Sequence, residues 1–137
     1  MKILIADHEA SHVKEFEKLL QETGFSLILV NTGQEALSLS QKEQPDLILL
    51  GEMLPGMTGN DVLRQLKANL QTQKIPVAIL SHFKDDALIA EAIDLGAVEY
   101  ILKDTMSSQD LVNRVQTILQ QQKKGGTGWS EGDAQNL

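Results

Sequence analysis

The amino-acid sequence predicts an α/β protein in which helices cover both faces of one parallel sheet. Five short apolar runs alternate along the chain with five segments whose apolar residues recur at helical spacing. Strands that alternate with helices form right-handed crossover units, so the five strands should lie parallel. At 137 residues the chain is long enough for one domain around a single core.

The apolar runs predict strands at residues 2–6, 25–30, 46–50, 75–80 and 98–102. The helical segments are predicted from about residue 11 to 24, 32 to 45, 58 to 69, 84 to 95, and from 107 onward. Several residues mark the helix ends. Thr32 is expected to cap the second helix and Pro45 to end it. Thr58 or Gly59 should open the third helix, and Gly96 should close the fourth.

The carboxyl ends of the strands are where an open parallel sheet binds ligands. In this sequence the polar or special residues at those ends are Asp7, His8, Gly51, Ser81, His82 and Lys103. Lysine and hydroxyl groups bind phosphoryl oxygens, and carboxylates hold Mg²⁺. Taken singly, Asp7, Ser81 and Lys103 could be ordinary loop residues, but together they indicate a phosphate-handling site.

Several stretches of the chain resemble response-regulator receiver domains of two-component signalling. They are Ile-Leu-Ile-Ala-Asp at 3–7, Pro-Asp-Leu-Ile-Leu-Leu at 45–50, Met-Leu-Pro-Gly-Met-Thr-Gly at 53–59, Pro-Val-Ala-Ile-Leu-Ser at 76–81, Leu-Gly-Ala at 95–97 and Tyr-Ile-Leu-Lys at 100–103. The resemblance covers residues 2 to about 122. It implies a doubly wound, CheY-like sheet in the order 2-1-3-4-5, with phosphotransfer to an aspartate at the end of strand three. It also implies that strands and helices four and five shift on phosphorylation.

Four residues match functional positions of that family. The resemblance gives Asp7 the place of the first acid after strand one, and Ser81 that of the switch hydroxyl. Tyr100 takes the place of the switch aromatic residue in strand five. Lys103 takes that of the phosphate-binding lysine.

Other positions depart from the family pattern. Gly51 stands where the phosphoacceptor aspartate is expected, and glycine lacks the carboxylate nucleophile. His8 replaces the second acid, a hard oxygen ligand for magnesium. His82 and Asp104 stand where a small residue and a proline are usual. Glu52 belongs to the same acidic pocket, but in a regular strand its side chain points away from that of residue 51. A local bulge would be needed to bring it in.

The first of three functional hypotheses is a phosphorylation-independent pseudo-receiver that acts through protein contacts and is not an enzyme. No cofactor is then expected, Mg²⁺ binding is weakened or lost, and Lys103 pairs with Asp7 or Glu52 or stays solvated. The second is an ordinary phosphoaccepting receiver with an introduced change at Gly51, although His8 is a second departure that such a change leaves unexplained. The third is a metal or small-ligand site that uses His8 and His82 with Asp7, against the alternative that these histidines bind nothing.

Composition and motifs exclude several other classes of function. With 12 basic and 19 acidic residues the net charge is −7, which disfavours direct binding to nucleic acid. No apolar run of about 18 residues predicts a membrane span, and a cytoplasmic location is expected. The absence of cysteine excludes disulfides and thiolate metal sites. No nucleotide-binding glycine loop or hydrolase elbow motif is present.

The expected organisation is a receiver domain at residues 1–122, followed by a flexible glycine-rich tail or linker at 123–137. The expected partners are proteins: a sensor kinase, an output domain or another regulator. The family often dimerises through helix four, strand five and helix five. On that face Asp94, Glu99 and Arg114 are charged candidates, or they are simply solvated surface.

Overall fold

The structure, a computed structural model, describes residues 1–7 and 14–127, with side chains as far as residue 122. Its strands are β1 Lys2–Ala6, β2 Ser26–Val30, β3 Leu47–Gly51, β4 Met53–Leu54, β5 Met57–Thr58, β6 Val77–Ser81 and β7 Glu99–Leu102. Its helices are α1 Lys14–Glu22, α2 Gly33–Glu43, α3 Gly59–Ala68, α4 Asp86–Asp94 and α5 Ser108–Thr127, with a short 3₁₀ turn at Lys103–Thr105. Among the described residues, no helix combines the length and apolar character needed to cross a membrane.

Five of the strands form one parallel sheet in the order β2-β1-β3-β6-β7. The predicted order 2-1-3-4-5 is therefore confirmed, because β6 and β7 are the fourth and fifth strands of the predicted sheet. The register sets Gly51 beside Leu80 and Ser81 beside Leu102. The carboxyl ends of the three strands β3, β6 and β7 thus meet at the same edge.

Two apolar layers enclose the sheet, and alternate strand residues belong to opposite layers. Ile3 and Ile5 of β1 pack with α1 and α5, whereas Leu4 and Ala6 pack with α2, α3 and α4. The same alternation holds in β3 and β6, where all five residues of each strand are buried. Strands buried on both faces read as continuous apolar runs, which is why the sequence pattern located them.

The ends of the predicted strands needed small corrections. The sequence placed Gly51 just after strand three, but Gly51 is the last residue of β3 and is paired with Leu80 of β6. In the same way β6 runs through Ser81 instead of ending at residue 80. A strand ends where its ladder of backbone pairs ends, which depends on the neighbouring strand and not on the local sequence.

The segment after β3, predicted as a turn, is a small antiparallel hairpin. Met53 pairs with Thr58 and Leu54 with Met57, and the loop between them has Gly56 at a φ of 79°. That left-handed conformation suits glycine, and proline suits the position before it. Thr58 then caps α3, since its hydroxyl accepts from the N–H of Asp61 while its own N–H donates to the Asp61 carboxylate. The predicted role of Thr58 at the start of this helix is confirmed.

The last helix extends through Thr127, past the domain boundary that the sequence placed at residue 122. Ser107 and Asp110 cap its start reciprocally, each accepting from the other's backbone N–H. Residues 128–137 lie outside the described part, so the tail stays a prediction. Residues 8–13, which include His8 and the predicted start of the first helix, also lie outside it.

Candidate functional site

The carboxyl ends of β1, β3, β6 and β7 converge around a small cavity of about 20 Å³. That volume has room for about one water molecule. The lining residues are Asp7, Gly51, Glu52, Met53, Leu80, Ser81, His82, Phe83 and Lys103. The structure therefore brings together almost all of the site residues that the sequence predicted. Tyr100 does not line the cavity but reaches it through a hydrogen bond to Glu52, and His8 lies outside the described residues.

The cavity floor holds a buried ion pair between Asp7 and Lys103. The ammonium Nζ of Lys103 lies 3.0 Å from Oδ2 of Asp7, and the two side chains are only 7% and 4% exposed. Asp7 follows β1, and its backbone N–H donates to the carbonyl of Val30, which holds it against β2. Of the alternatives predicted for Lys103, the structure shows the pairing with Asp7.

Gly51 leaves a space beside this ion pair. A β-carbon placed on Gly51 would lie 3.7 Å from Cγ of Asp7 and 3.2 Å from the carbonyl oxygen of Ala6. A side chain at position 51 would therefore project towards Asp7. Gly51 is not among the described residues with a positive φ, so the strand conformation itself does not call for glycine here.

Glu52, which also lines the cavity, binds a different partner. Its side chain is buried, and its Oε2 accepts a hydrogen bond of 3.0 Å from the hydroxyl of Tyr100 on β7. The Tyr100 oxygen also lies 3.3 Å from the carbonyl oxygen of Phe83. Tyr100 thus joins the end of β3 to the loop after β6, a contact that the sequence did not predict.

Burial and neighbouring charges shift the pKa values of both Glu52 and Tyr100. Burial raises the pKa of the Glu52 carboxyl above its ordinary value of 4.5, and the carboxylates of Glu91, Asp85 and Asp61 raise it further against the hydrogen bond from Tyr100. Burial also raises the pKa of Tyr100 to about 12. The tyrosine hydroxyl consequently stays protonated at neutral pH and remains a hydrogen-bond donor.

The loop between β6 and α4 is fixed by polar contacts at both ends of the site. Ser81 is buried, and its hydroxyl accepts a 2.9 Å hydrogen bond from the N–H of Phe83. The ring nitrogen Nδ1 of His82 lies 2.8 Å from Oδ1 of Asp104. The sequence analysis identified His82 and Asp104 as departures from the family pattern, but it did not predict that they would contact each other.

The described residues do not fit a metal site. Within residues 1–7 and 14–127, no group of three histidine, cysteine, aspartate or glutamate side chains is arranged to hold an ion. One oxygen of Asp7 faces the Lys103 ammonium, and His82 is bonded to Asp104. The hypothesis that combines His8 with His82 stays a prediction, because His8 is not described.

The predicted dimerisation face contains an ion pair within the chain. Arg114 on α5 donates to the carboxylate of Glu99 on β7, and Asp94 at the end of α4 is exposed. Two of the three charged candidates therefore already have a partner in the monomer.

Comparison with known proteins gives consistent matches over most of the chain. A family model described as the response regulator receiver domain matches residues 3–116. The DNA-binding response regulator MtrA of Mycobacterium tuberculosis is 34% identical over 118 residues, which cover 86% of this chain and 50% of MtrA. The transcriptional regulatory protein YdfI of Bacillus subtilis is 37% identical over 109 residues, which cover 77% of this chain and 49% of YdfI. This chain thus spans about half the length of the curated relatives that it matches.

A solved structure agrees with these matches. A putative response regulator from Chloroflexus aurantiacus is similar to this chain with a TM-score of 0.79 and 27% sequence identity, over 87% of this chain and 97% of the other.

Proposed function

The chain belongs to the response regulator receiver domain family, and we propose that it is a pseudo-receiver that acts through protein contacts without accepting a phosphoryl group. The observation that supports this is the position of Gly51. Gly51 ends β3, and a β-carbon placed there would lie 3.7 Å from Cγ of Asp7, which pairs with Lys103. Position 51 is where a receiver domain needs its nucleophile. Glycine has no carboxylate oxygen to form an acyl phosphate.

Both acids among the described residues that line the cavity already have partners. Asp7 is bound to Lys103, and Glu52 accepts the hydrogen bond from Tyr100. We therefore assign no catalytic residue and propose that the domain is not an enzyme. Ser81, Tyr100 and Lys103 are proposed to correspond to the family's switch and phosphate-binding positions. Tyr100 and Lys103 are held by the carboxylates of Glu52 and Asp7, and the Ser81 hydroxyl accepts from the N–H of Phe83.

Incubation of the purified chain with acetyl phosphate and Mg²⁺ is expected to give no phosphorylated species. The physical reason is the missing nucleophile at Gly51. Intact-protein mass spectrometry and phosphate-affinity electrophoresis measure the result, with a phosphoaccepting receiver treated in parallel as the positive control. Hydroxylamine-sensitive phosphate on any aspartate or glutamate of this chain would contradict the proposal.

We further propose that binding of Mg²⁺ is weakened or lost. The proposal is supported by the groups that would bind the ion. The carboxylate of Asp7 is paired with Lys103, and His8 stands where the second acid is expected. A rise in melting temperature on addition of millimolar magnesium chloride would show the opposite.

The proposed partners are proteins: a sensor kinase, an output domain or another regulator. The matched relatives are named as DNA-binding or transcriptional regulators and are about twice as long as the segment that matches. A net charge of −7 disfavours direct contact between this domain and nucleic acid. Homodimerisation through α4, β7 and α5 remains part of the proposal.

A second candidate function is an ordinary phosphoaccepting receiver in which Gly51 was introduced. The observation in its favour is that residue 51 has a strand conformation, and its added β-carbon would meet only one close atom, the Ala6 carbonyl oxygen at 3.2 Å. A β-carbon at position 51 therefore requires a shift of only a few tenths of an ångström. The coding sequence of the source gene decides between the two: a codon for aspartate at position 51 would remove the first proposal.

Replacing Glu52 with glutamine is expected to raise the melting temperature at pH 7, and this gain should shrink as the pH falls towards the ordinary carboxyl pKa of 4.5. The folded-state pKa of Glu52 is raised, so its contribution to stability is fully present below the unfolded pKa and is lost as the pH rises through the folded pKa. Glutamine keeps an acceptor for Tyr100 but carries no charge. Thermal unfolding of both proteins across this pH range is the measurement.

The matched control for that experiment is Glu22→Gln. Glu22 is exposed at the end of α1, so its replacement should alter the melting temperature little at any pH. A Glu52→Gln protein that was less stable than the parent at pH 7, or whose difference did not vary with pH, would show that the buried charge is not destabilising.

A further inference from the structure

An open groove of about 510 Å³ lies beside the cavity, between the β4–β5 hairpin and the loop that joins β6 to α4. We call it the hairpin groove and define it by Glu52, Met53, Phe83, Lys84, Asp85 and Leu88. Met53 is 56% exposed and Phe83 is 52% exposed, although both are large apolar side chains. Two such side chains facing one groove are typical of an interaction surface, because a partner that covers them removes their apolar area from water.

Both walls of the hairpin groove are held in place by hydrogen bonds. On the hairpin side, the N–H of Gly59 donates to the Glu52 carbonyl at 2.7 Å. On the loop side, the N–H of Phe83 donates to Ser81, and Asp85 caps α4 by accepting from two backbone N–H groups. A surface that is already ordered loses little conformational entropy when a partner binds, which favours its use as a docking site.

The charges around the hairpin groove are mainly negative. Glu52 and Asp85 line it, and Lys84 is the one lysine or arginine among its lining residues. The carboxylates of Asp61 and Glu91 lie close enough to act on Glu52.

The nearby Arg64 pairs with Asp61 at 3.2 Å and with Glu91 at 3.5 Å, so it offsets part of the charge of these two carboxylates. Glu52 and Asp85 are the negative groups that line the groove itself. With a net charge of −7 on the whole chain, the local field attracts cations.

We infer that the hairpin groove binds a segment of a partner protein that carries one large apolar side chain flanked by lysine or arginine. The apolar side chain would pack between Met53 and Phe83, and a flanking cation would face Asp85, which is exposed, whereas the buried Glu52 would add to the negative field. This inference rests on the proposed function, because the groove is formed without any phosphoryl group on the chain.

The test uses the full chain and three pools of short fluorescent peptides, with binding measured by fluorescence anisotropy. The first pool has a central Leu, Phe, Met or Trp flanked by Lys and Arg. The second has the same central residues flanked by Glu, and the third has the basic flanks around a central Ser. Only the first pool is expected to bind, with an affinity that falls as salt is added.

Variants of the chain locate the binding. The double variant Met53→Ser, Phe83→Ser should bind the first pool at least about tenfold more weakly, as expected when anchor contacts are removed. Asp85→Asn, which keeps a capping oxygen, should weaken binding and its salt dependence. Leu70→Ser is the matched control, since Leu70 is 83% exposed but is not among the groove's lining residues, and it should bind like the parent.

Three results would overturn the inference: no pool binds either before or after treatment with acetyl phosphate and Mg²⁺, the second or third pool binds as well as the first, or the double variant binds like the parent. Repeating the titration after treatment with acetyl phosphate and Mg²⁺ separates the two proposals. If the first pool bound only after that treatment, the groove assignment would stand and the phosphorylation-independent function would fail. If untreated chain bound the first pool equally well with and without Met53 and Phe83, the groove assignment would fail alone.

Discussion

Lys103→Met is expected to lower the free energy of unfolding by about 3–5 kcal/mol, the usual loss when one member of a buried ion pair is removed. The Asp7 and Lys103 side chains are 4% and 7% exposed, and their charged atoms are 3.0 Å apart. Methionine has a similar length to lysine, so the change removes the charge with little loss of packing. The Asp7 carboxylate then stays buried but loses the ion pair with the Lys103 ammonium, which is the physical origin of the loss.

Urea denaturation of the single and double variants measures this coupling. Asp7→Asn combined with Lys103→Met should be less destabilised than the sum of the two single changes, because the double variant buries neither charge. Lys2→Met is the matched control. Lys2 pairs with Glu43 at 3.3 Å, but the two side chains are 39% and 37% exposed, so the loss should stay below about 1 kcal/mol. A Lys103→Met protein as stable as Lys2→Met would show that the buried pair contributes no more than a surface pair.

The pairing of Asp7 with Lys103 could be predicted as one alternative from the sequence. Both residues follow apolar runs, and the ends of parallel strands converge at one edge of the sheet. Locating β1 and β7 placed their polar end residues at that edge but not at one cavity, because β3 and β6 lie between the two strands. The resemblance then supplied the strand order, which periodicity alone does not give.

The contact between Tyr100 and Glu52 could not be predicted from the sequence, for a physical reason. Within a strand, successive side chains point to opposite faces of the sheet, so the sequence predicts the direction of each. Glu52 lies one residue beyond the end of β3, where this alternation no longer applies. Its carboxylate accepts a hydrogen bond from the hydroxyl of Tyr100 on β7. The bond between His82 and Asp104 likewise joins two loops, and loop geometry depends on the tertiary structure around it.

The position of Gly59 shows how the end of β3 and the start of α3 depend on each other. A β-carbon on Gly59 would lie 2.4 Å from the carbonyl oxygen of Gly51, well inside van der Waals contact, and 3.3 Å from Cα of Glu52. The Gly59 N–H also donates to the Glu52 carbonyl at 2.7 Å. The backbone at the candidate site therefore packs directly against the first turn of the helix, and only glycine permits that approach.

Gly59→Ala is accordingly expected to lower the free energy of unfolding by about 1–3 kcal/mol, the usual range for overpacking in a tight site. The clash is with backbone atoms, so no side-chain rotation relieves it, and the helix must move away from β3. Alanine's better helix propensity, about 1 kcal/mol, offsets only part of this loss. Gly51→Ala is the matched control, because its β-carbon would meet its nearest atom at 3.2 Å and requires a shift of only a few tenths of an ångström. Urea denaturation of the two variants decides the matter. If Gly51→Ala were the more destabilising of the two, the close approach of α3 would not be what fixes the end of β3, and the space beside Asp7 would be less accommodating than the strand geometry indicates.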